Sequence, residues 1–134
     1  MEKRMNKEEL LELLNTLKIS REEFVILSSS ALMLRGIYES CGDLDIAVTE
    51  KGLKELKENY SLILKDNGWY IVNDKVECIV NSMKNKKEKL DNYYVQDIYD
   101  YLNYLEESNR EKDKLRIPVV KQYIKERKWL TTVM

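Results

Sequence analysis

The chain contains no histidine. Without imidazole there is no Ser-His-Asp or Cys-His nucleophile system and no His-containing zinc site. Cysteine is nearly as scarce. Cys41 and Cys78 cannot by themselves complete a tetrahedral thiolate site, and their spacing forms no CxxC motif. A chain of 134 residues can bury enough core to do without a disulfide staple, so the expectation is a reduced, cytoplasmic protein. Long apolar runs are also missing. The stretch from Phe24 to Leu34 is free of charge but carries three serines, and it is too short and too polar to span a bilayer. Met1-Glu2-Lys3-Arg4 leads into a charged amphipathic segment rather than an apolar signal region, so neither export nor a membrane partner is expected. Finally, neither sign of charge dominates. With 23 basic against 24 acidic side chains and a net charge of -1, no global field gathers nucleic acid or anionic lipid.

What remains is carboxylate, lysine and hydroxyl chemistry on a globular composition, 43% apolar and 35% charged. Leu10, Leu13, Leu14 and Leu17 recur at helical spacing behind Asn6 and Glu9, which stand in capping-box relation. Phe24-Val25-Ile26-Leu27 has the form of a buried strand. Ser28-Ser29-Ser30 follows as a turn, and Ala31 to Leu34 reads as a helix ending near Gly36. Asp43 to Val48 alternates polar and apolar residues as a strand, and a helix with Leu53, Leu56 and Tyr60 begins after Thr49. Ser61–Leu64 and Trp69–Val72 flank Lys65-Asp66-Asn67-Gly68 as a hairpin, and Lys75 to Val80 is a further strand. The lysine-rich segment from Asn81 to Lys89 reads as a solvated connection. Beyond it, Tyr94, Ile98, Tyr101, Leu102 and Leu105 make a helical stripe. Ser108 and Glu111 form a second capping box opening a helix from Asn109 to Arg127, which is kinked or divided at Pro118. The expected architecture is a single α/β (α+β) domain. It has a small mixed sheet at about residues 20–80, flanking helices, and a C-terminal helical segment at about 92–128.

Asp43 and Asp45 lie two apart on a strand and so share one face, and two anions held that close demand a counter-charge. With no lysine or arginine inside the motif, a divalent metal is the natural one. Glu77, flanked by Val76, Cys78, Ile79 and Val80, is a third acid out of place unless it faces a site. The three would form a carboxylate cluster fit for magnesium. The competing reading makes the aspartates solvated strand-end residues and points Glu77 to water. The serine turn offers backbone N–H groups and hydroxyls to a phosphate, or serves as an ordinary N-cap. Five of the nine tyrosines fall between Tyr93 and Tyr104, where a core stripe explains them better than base stacking. The lysines from 84 to 89 read as solvated, Cys78 as core, and Cys41 as exposed near the acids.

Leu27-Ser28-Ser29, thirteen intervening residues and Asp43-Leu44-Asp45-Ile46 together resemble the signature of the polymerase-beta-type nucleotidyltransferase superfamily. Ala31-Leu32, Arg35-Gly36-Ile37 and Gly42 are similar to its small bacterial branch of antibiotic nucleotidyltransferases and toxin–antitoxin or phage-defence members. Arg110-Glu111-Lys112-Asp113 resembles an Arg-x-Lys-Asp motif of that branch. The matches span roughly residues 24–117. The resemblance implies a nucleotidyltransferase-like fold and transfer of a nucleoside monophosphate from an NTP to a hydroxyl of a small molecule, RNA or protein. It implies Asp43, Asp45 and Glu77 as catalytic ligands of Mg2+, with Glu77 helping to deprotonate the acceptor. Ser28 and Ser29 would contact the β- and γ-phosphates, and Lys112 would neutralise phosphate charge. One position departs from the pattern: the family's first glycine is Ser28 here, where a side chain weakens nucleotide binding or marks lost catalysis. The alternative is therefore an inactive module that binds a protein partner or senses nucleotide. A nuclease using the same acids leaves the serine turn unexplained.

Overall fold

Asn6 accepts a hydrogen bond from the Glu9 N–H at 2.9 Å and donates its own N–H to the Glu9 carboxylate at 3.2 Å, closing the expected capping box. In the computed structural model, which describes residues 4–81, 87–108 and 110–133 with side chains through 127, this box opens α1, Lys7–Thr16. The chain forms two compact units, Met1–Gln96 and Asp97–Met134. In the first, a short 3-10 turn leads into β1, Phe24–Leu27. The three serines are not a separate turn but the first three residues of α2, Ser28–Leu34. α2 stops in a Schellman motif: Ile37 N–H reaches Leu32 O and Gly36 N–H reaches Met33 O, both at 3.0 Å. Gly36 takes the positive φ, +82°, that this motif requires. β2, Leu44–Val48, then runs into α3, Glu50–Asn59, capped by Thr49, whose hydroxyl accepts from Gly52 N–H at 3.0 Å. The hairpin of β3, Ile63–Leu64, and β4, Tyr70–Ile71, turns at Lys65–Gly68, with Gly68 alone in the left-handed region. β5 is Val76–Val80.

Two further strands replace part of the expected connection and helix. β6 is Lys87–Leu90 and β7 is Tyr93–Gln96, joined at Asp91 and Asn92, which both adopt the positive φ of a tight hairpin turn. Tyr94 therefore belongs to a strand. Tyr93 and Val95 are buried and Tyr94 and Gln96 half-buried, a two-residue period. The four-residue step from Tyr94 to Ile98 crosses the cap of the next helix. The sheet core accordingly extends past residue 80 to Gln96. Lys84, at the start of the lysine run, and its neighbours through residue 86 lie outside the described residues.

The seven strands make one mixed sheet in the order β3-β4-β5-β2-β1-β7-β6. β1 is antiparallel to β2 and parallel to β7, and β2 is parallel to β5. The mixed α/β class expected from the sequence is what the chain adopts. Phe24, Ile26, Leu44, Ile46, Val48, Val76, Cys78 and Val95 bury one face of the central strands. They pack in one cluster with Leu10, Leu14 and Leu17, with Ala31 and Met33 of α2, and with Leu53 and Leu56 of α3. Because strand side chains alternate, Val25, Leu27, Asp45, Ala47 and Glu77 share the opposite face.

The second unit holds α4, Ile98–Glu107, capped by Asp97, and α5, Glu111–Val133. The expected second capping box does not form. Ser108 ends α4, and its hydroxyl donates to Asp113 at 2.7 Å, while Glu111 is exposed and pairs with Lys114 at 3.4 Å. Burial pushes the Asp113 carboxyl up, but hydrogen bonds from Ser108 and Arg110 outweigh it and hold the group below its usual value. α5 passes through Pro118 as one helix instead of dividing there. No helix among the described residues is long and apolar enough to cross a membrane.

Gly52 sets how closely α3 approaches the start of β1. A Cβ built there meets the backbone oxygen of Glu23 at 2.8 Å. Gly52→Ala is expected to destabilise the first unit by about 1–3 kcal/mol through this overlap, read as a lower denaturation midpoint with unchanged slope. An unchanged midpoint would show that the approach is not tight.

Candidate functional site

The pairing register assembles the acids. Leu27 of β1 lies opposite Asp45 of β2, and Asp45 lies opposite Glu77 of β5. Register partners on paired strands point to the same face of the sheet. Asp45 and Glu77 are thus neighbours at the end of the sheet where β1 and β7 finish and β2 and β5 begin. Asp43 sits just ahead of β2 and is exposed, while Asp45 is half-buried.

Ser28, the residue after Leu27, has φ +53°. Left-handed backbone costs an L-residue roughly 1–2 kcal/mol, so the chain makes its sharp strand-to-helix turn at a strained, non-glycine position. Ser30 does not remain available to a ligand, since its hydroxyl donates to Leu27 O at 2.8 Å. The Ser28 N–H faces the side-chain oxygen of Gln96 at 3.4 Å. Gln96 is in turn held by Arg35, whose guanidinium is almost wholly buried. It donates to Gln96 O at 2.8 Å and to the Glu88 carboxylate at 2.7 Å, tying the end of α2 to the β6–β7 hairpin.

The fold also supplies cations that the local motif lacks. Lys65, in the hairpin turn, sets its Nζ 3.0 Å from Oε1 of Glu77. Lys75 Nζ lies 3.5 Å from Gly42 O, next to Asp43. Cys41, expected to be exposed, is fully buried, and its backbone bridges to Met5 on both sides. Burial chiefly, and then the charges of Asp43 and Asp45 against those of Arg4 and Lys75, push its thiol up to about 11. Cys78 is core, as expected, and burial likewise raises it to about 11. Neither thiol is a nucleophile near neutral pH. The donor set of carboxylates and hydroxyls has the hard-oxygen chemistry that suits magnesium. Among the described residues, however, no three His, Cys, Asp or Glu side chains are gathered as a metal-holding group, and Glu77 is committed to Lys65. A pair one-third exposed at each partner is worth only about 0–1 kcal/mol.

Ser28, Ser29, Asp43, Asp45 and Glu77 all fall at one end of the first unit's sheet. Lys112 lies exposed on α5 of the second unit. Sequence reasoning missed Lys65 and Gln96. Lys65 looked like a turn residue, and its tie to Glu77 spans twelve positions. Gln96 fell inside the segment expected to be helical from about residue 92. No protein-family model matches the chain, and no curated protein matches it.

Replacing Ser28 by glycine tests the turn. Relief of the left-handed strain less glycine's entropic cost leaves Ser28→Gly more stable by about 0.5–1 kcal/mol. Urea denaturation measures the difference, and a loss of stability would show that the Ser28 side chain contributes more than its backbone costs.

Proposed function

We propose that the first unit carries a magnesium-dependent nucleotidyltransferase site, moving a nucleoside monophosphate from an NTP such as ATP or GTP to a hydroxyl acceptor. The observation that carries this reading is the register of β1, β2 and β5. It sets Asp45 beside Glu77 and one residue pair away from the strained Ser28 turn. In this reading Asp43 and Asp45 hold the cation and Glu77 joins them on release from Lys65. Magnesium, when bound, supplies the charge that steadies the triphosphate and the departing pyrophosphate. Ser28 and Ser29 orient phosphate oxygens, and Glu77 accepts the proton of the attacking hydroxyl, so the protein's contribution is position and charge.

A specific observation favours a second reading, an inactive module of the same build that serves as a protein partner or nucleotide sensor. The Lys65–Glu77 pair and the hydrogen bond of Ser28 N–H to Gln96 satisfy groups that catalysis needs.

The two readings part on nucleotide. The enzyme reading expects Mg-ATP or Mg-GTP to bind by calorimetry and α-phosphate label to reach an acceptor in cell extract. Asp43→Ala and Asp45→Ala are expected to abolish transfer while the fold survives, and Glu77→Gln to slow transfer more than it weakens NTP binding. Transfer persisting in both aspartate variants would refute the site. Nucleotide binding without transfer, unaltered by Asp43→Ala, would favour the inactive module.

A further inference from the structure

We propose that the second unit is a self-association surface, on which the outer face of α4 in one copy of the chain docks against the outer face of α5 in another. Charge divides at the corner between the two helices. From Asp97 to Ser108 the sequence holds four acidic residues and no basic one, whereas from Arg110 to Arg127 it holds seven basic residues against three acidic. Each helix also exposes apolar surface amid its charge. On α5, Leu115 is 73% exposed and Val119 37%. With the exposed Pro118 they stand one turn apart on the side away from the buried Val120 and Ile124. On α4, Tyr99 is 48% exposed and lines up with Asn103 and Glu106, away from the buried Ile98, Tyr101 and Leu105.

The chain does not use these charges internally. Asp100, Glu106 and Glu107 of α4, and Lys112, Lys121 and Lys125 of α5, form no ion pair among the described residues. The pairs that α5 does make are local, Arg110 with Asp113 and Lys114 with Glu111. An acidic face with an exposed tyrosine and a basic face with an exposed leucine and valine complement each other, and every copy carries both. Like faces repel, since α4 on α4 sets acid against acid and α5 on α5 sets lysine against lysine. Opposite charges meet when α4 lies on the α5 of a second chain. The apolar residues then supply the attraction, and the charges select partner and register. A nucleic acid would use the lysines of α5 but leave Leu115 without a contact and be repelled by α4. Association through this surface requires nothing of the proposed NTP site.

Sedimentation equilibrium of the full chain between about 5 and 200 µM measures it, the range in which contacts of one or two helix faces hold. Wild type is expected to shift from monomer to a larger species across that range and to dissociate as salt rises, because exposed charge is screened. Leu115→Asp is expected to weaken association about tenfold or more. So are two charge reversals, Lys121→Glu with Lys125→Glu and Glu106→Lys with Glu107→Lys, each of which gives its own copies like-charged faces. Mixing the two reversed proteins is expected to restore association, because each then offers the other an opposite charge on both helices. All these positions are exposed, and an unchanged circular dichroism spectrum checks that the variants fold. A wild-type chain that stays monomeric throughout overturns the proposal and leaves the face to the first unit or to a foreign partner. Association that survives Leu115→Asp and both reversals, or reversed proteins that ignore each other when mixed, also overturns it.

Discussion

The parallel pairing of β2 with β5 is the constraint on which the rest depends. β2 presents Leu44, Ile46 and Val48 to the core, each fully buried, and that burial fixes which residues face the other way. A slip of one position would bury Asp45 and expose Ile46, an exchange costing several kcal/mol, so the core itself enforces the placement of the acids. The carboxylate pair is thus a by-product of hydrophobic register, and its stability does not depend on any ligand.

Such a pair is electrostatically awkward, and the chain answers it with side chains from elsewhere in the first unit. Lys65 reaches Glu77 from a hairpin turn, and Lys75 comes close to the backbone ahead of Asp43. Arg35 works one step removed. Buried and bonded to Glu88 and to the Gln96 carbonyl, it fixes the end of β7, whose glutamine side chain meets the strained Ser28. The same end of the sheet therefore gathers a backbone under tension, two opposed carboxylates and a displaceable cation. Each is individually costly or weak, and such arrangements concentrate where a protein binds something.

Much of this was legible in the sequence because the signals were local. The Asn6–Glu9 box, the apolar run of β1, the alternation through Asp45 and the break at Gly36 each rest on a few adjacent residues, and each element formed where expected. Glu77 was legible too, since an acid between Val76 and Cys78 must face away from the core that buries them. The β6–β7 hairpin was not. Tyr94 and Ile98 imitate helical spacing by coincidence across the Asp97 cap, and the pairing of β7 with β1 joins residues about seventy positions apart. Lys65 was illegible for the same reason: no local pattern says which carboxylate a turn lysine will meet. Nor does the motif show the two lysines that the fold brings near the acids from outside it, Lys65 at Glu77 and Lys75 at the Gly42 carbonyl.

We propose an NTP site at one end of this sheet, built on Asp43, Asp45 and Glu77. The most direct measurement is a crystal structure of the protein with magnesium and an NTP analogue that resists cleavage at the α-phosphate. The expected structure has the cation between Asp43 and Asp45, the triphosphate against Ser28 and Ser29, and Lys65 withdrawn from Glu77. Nucleotide density elsewhere, or an intact Lys65–Glu77 pair beneath a bound nucleotide, would contradict it.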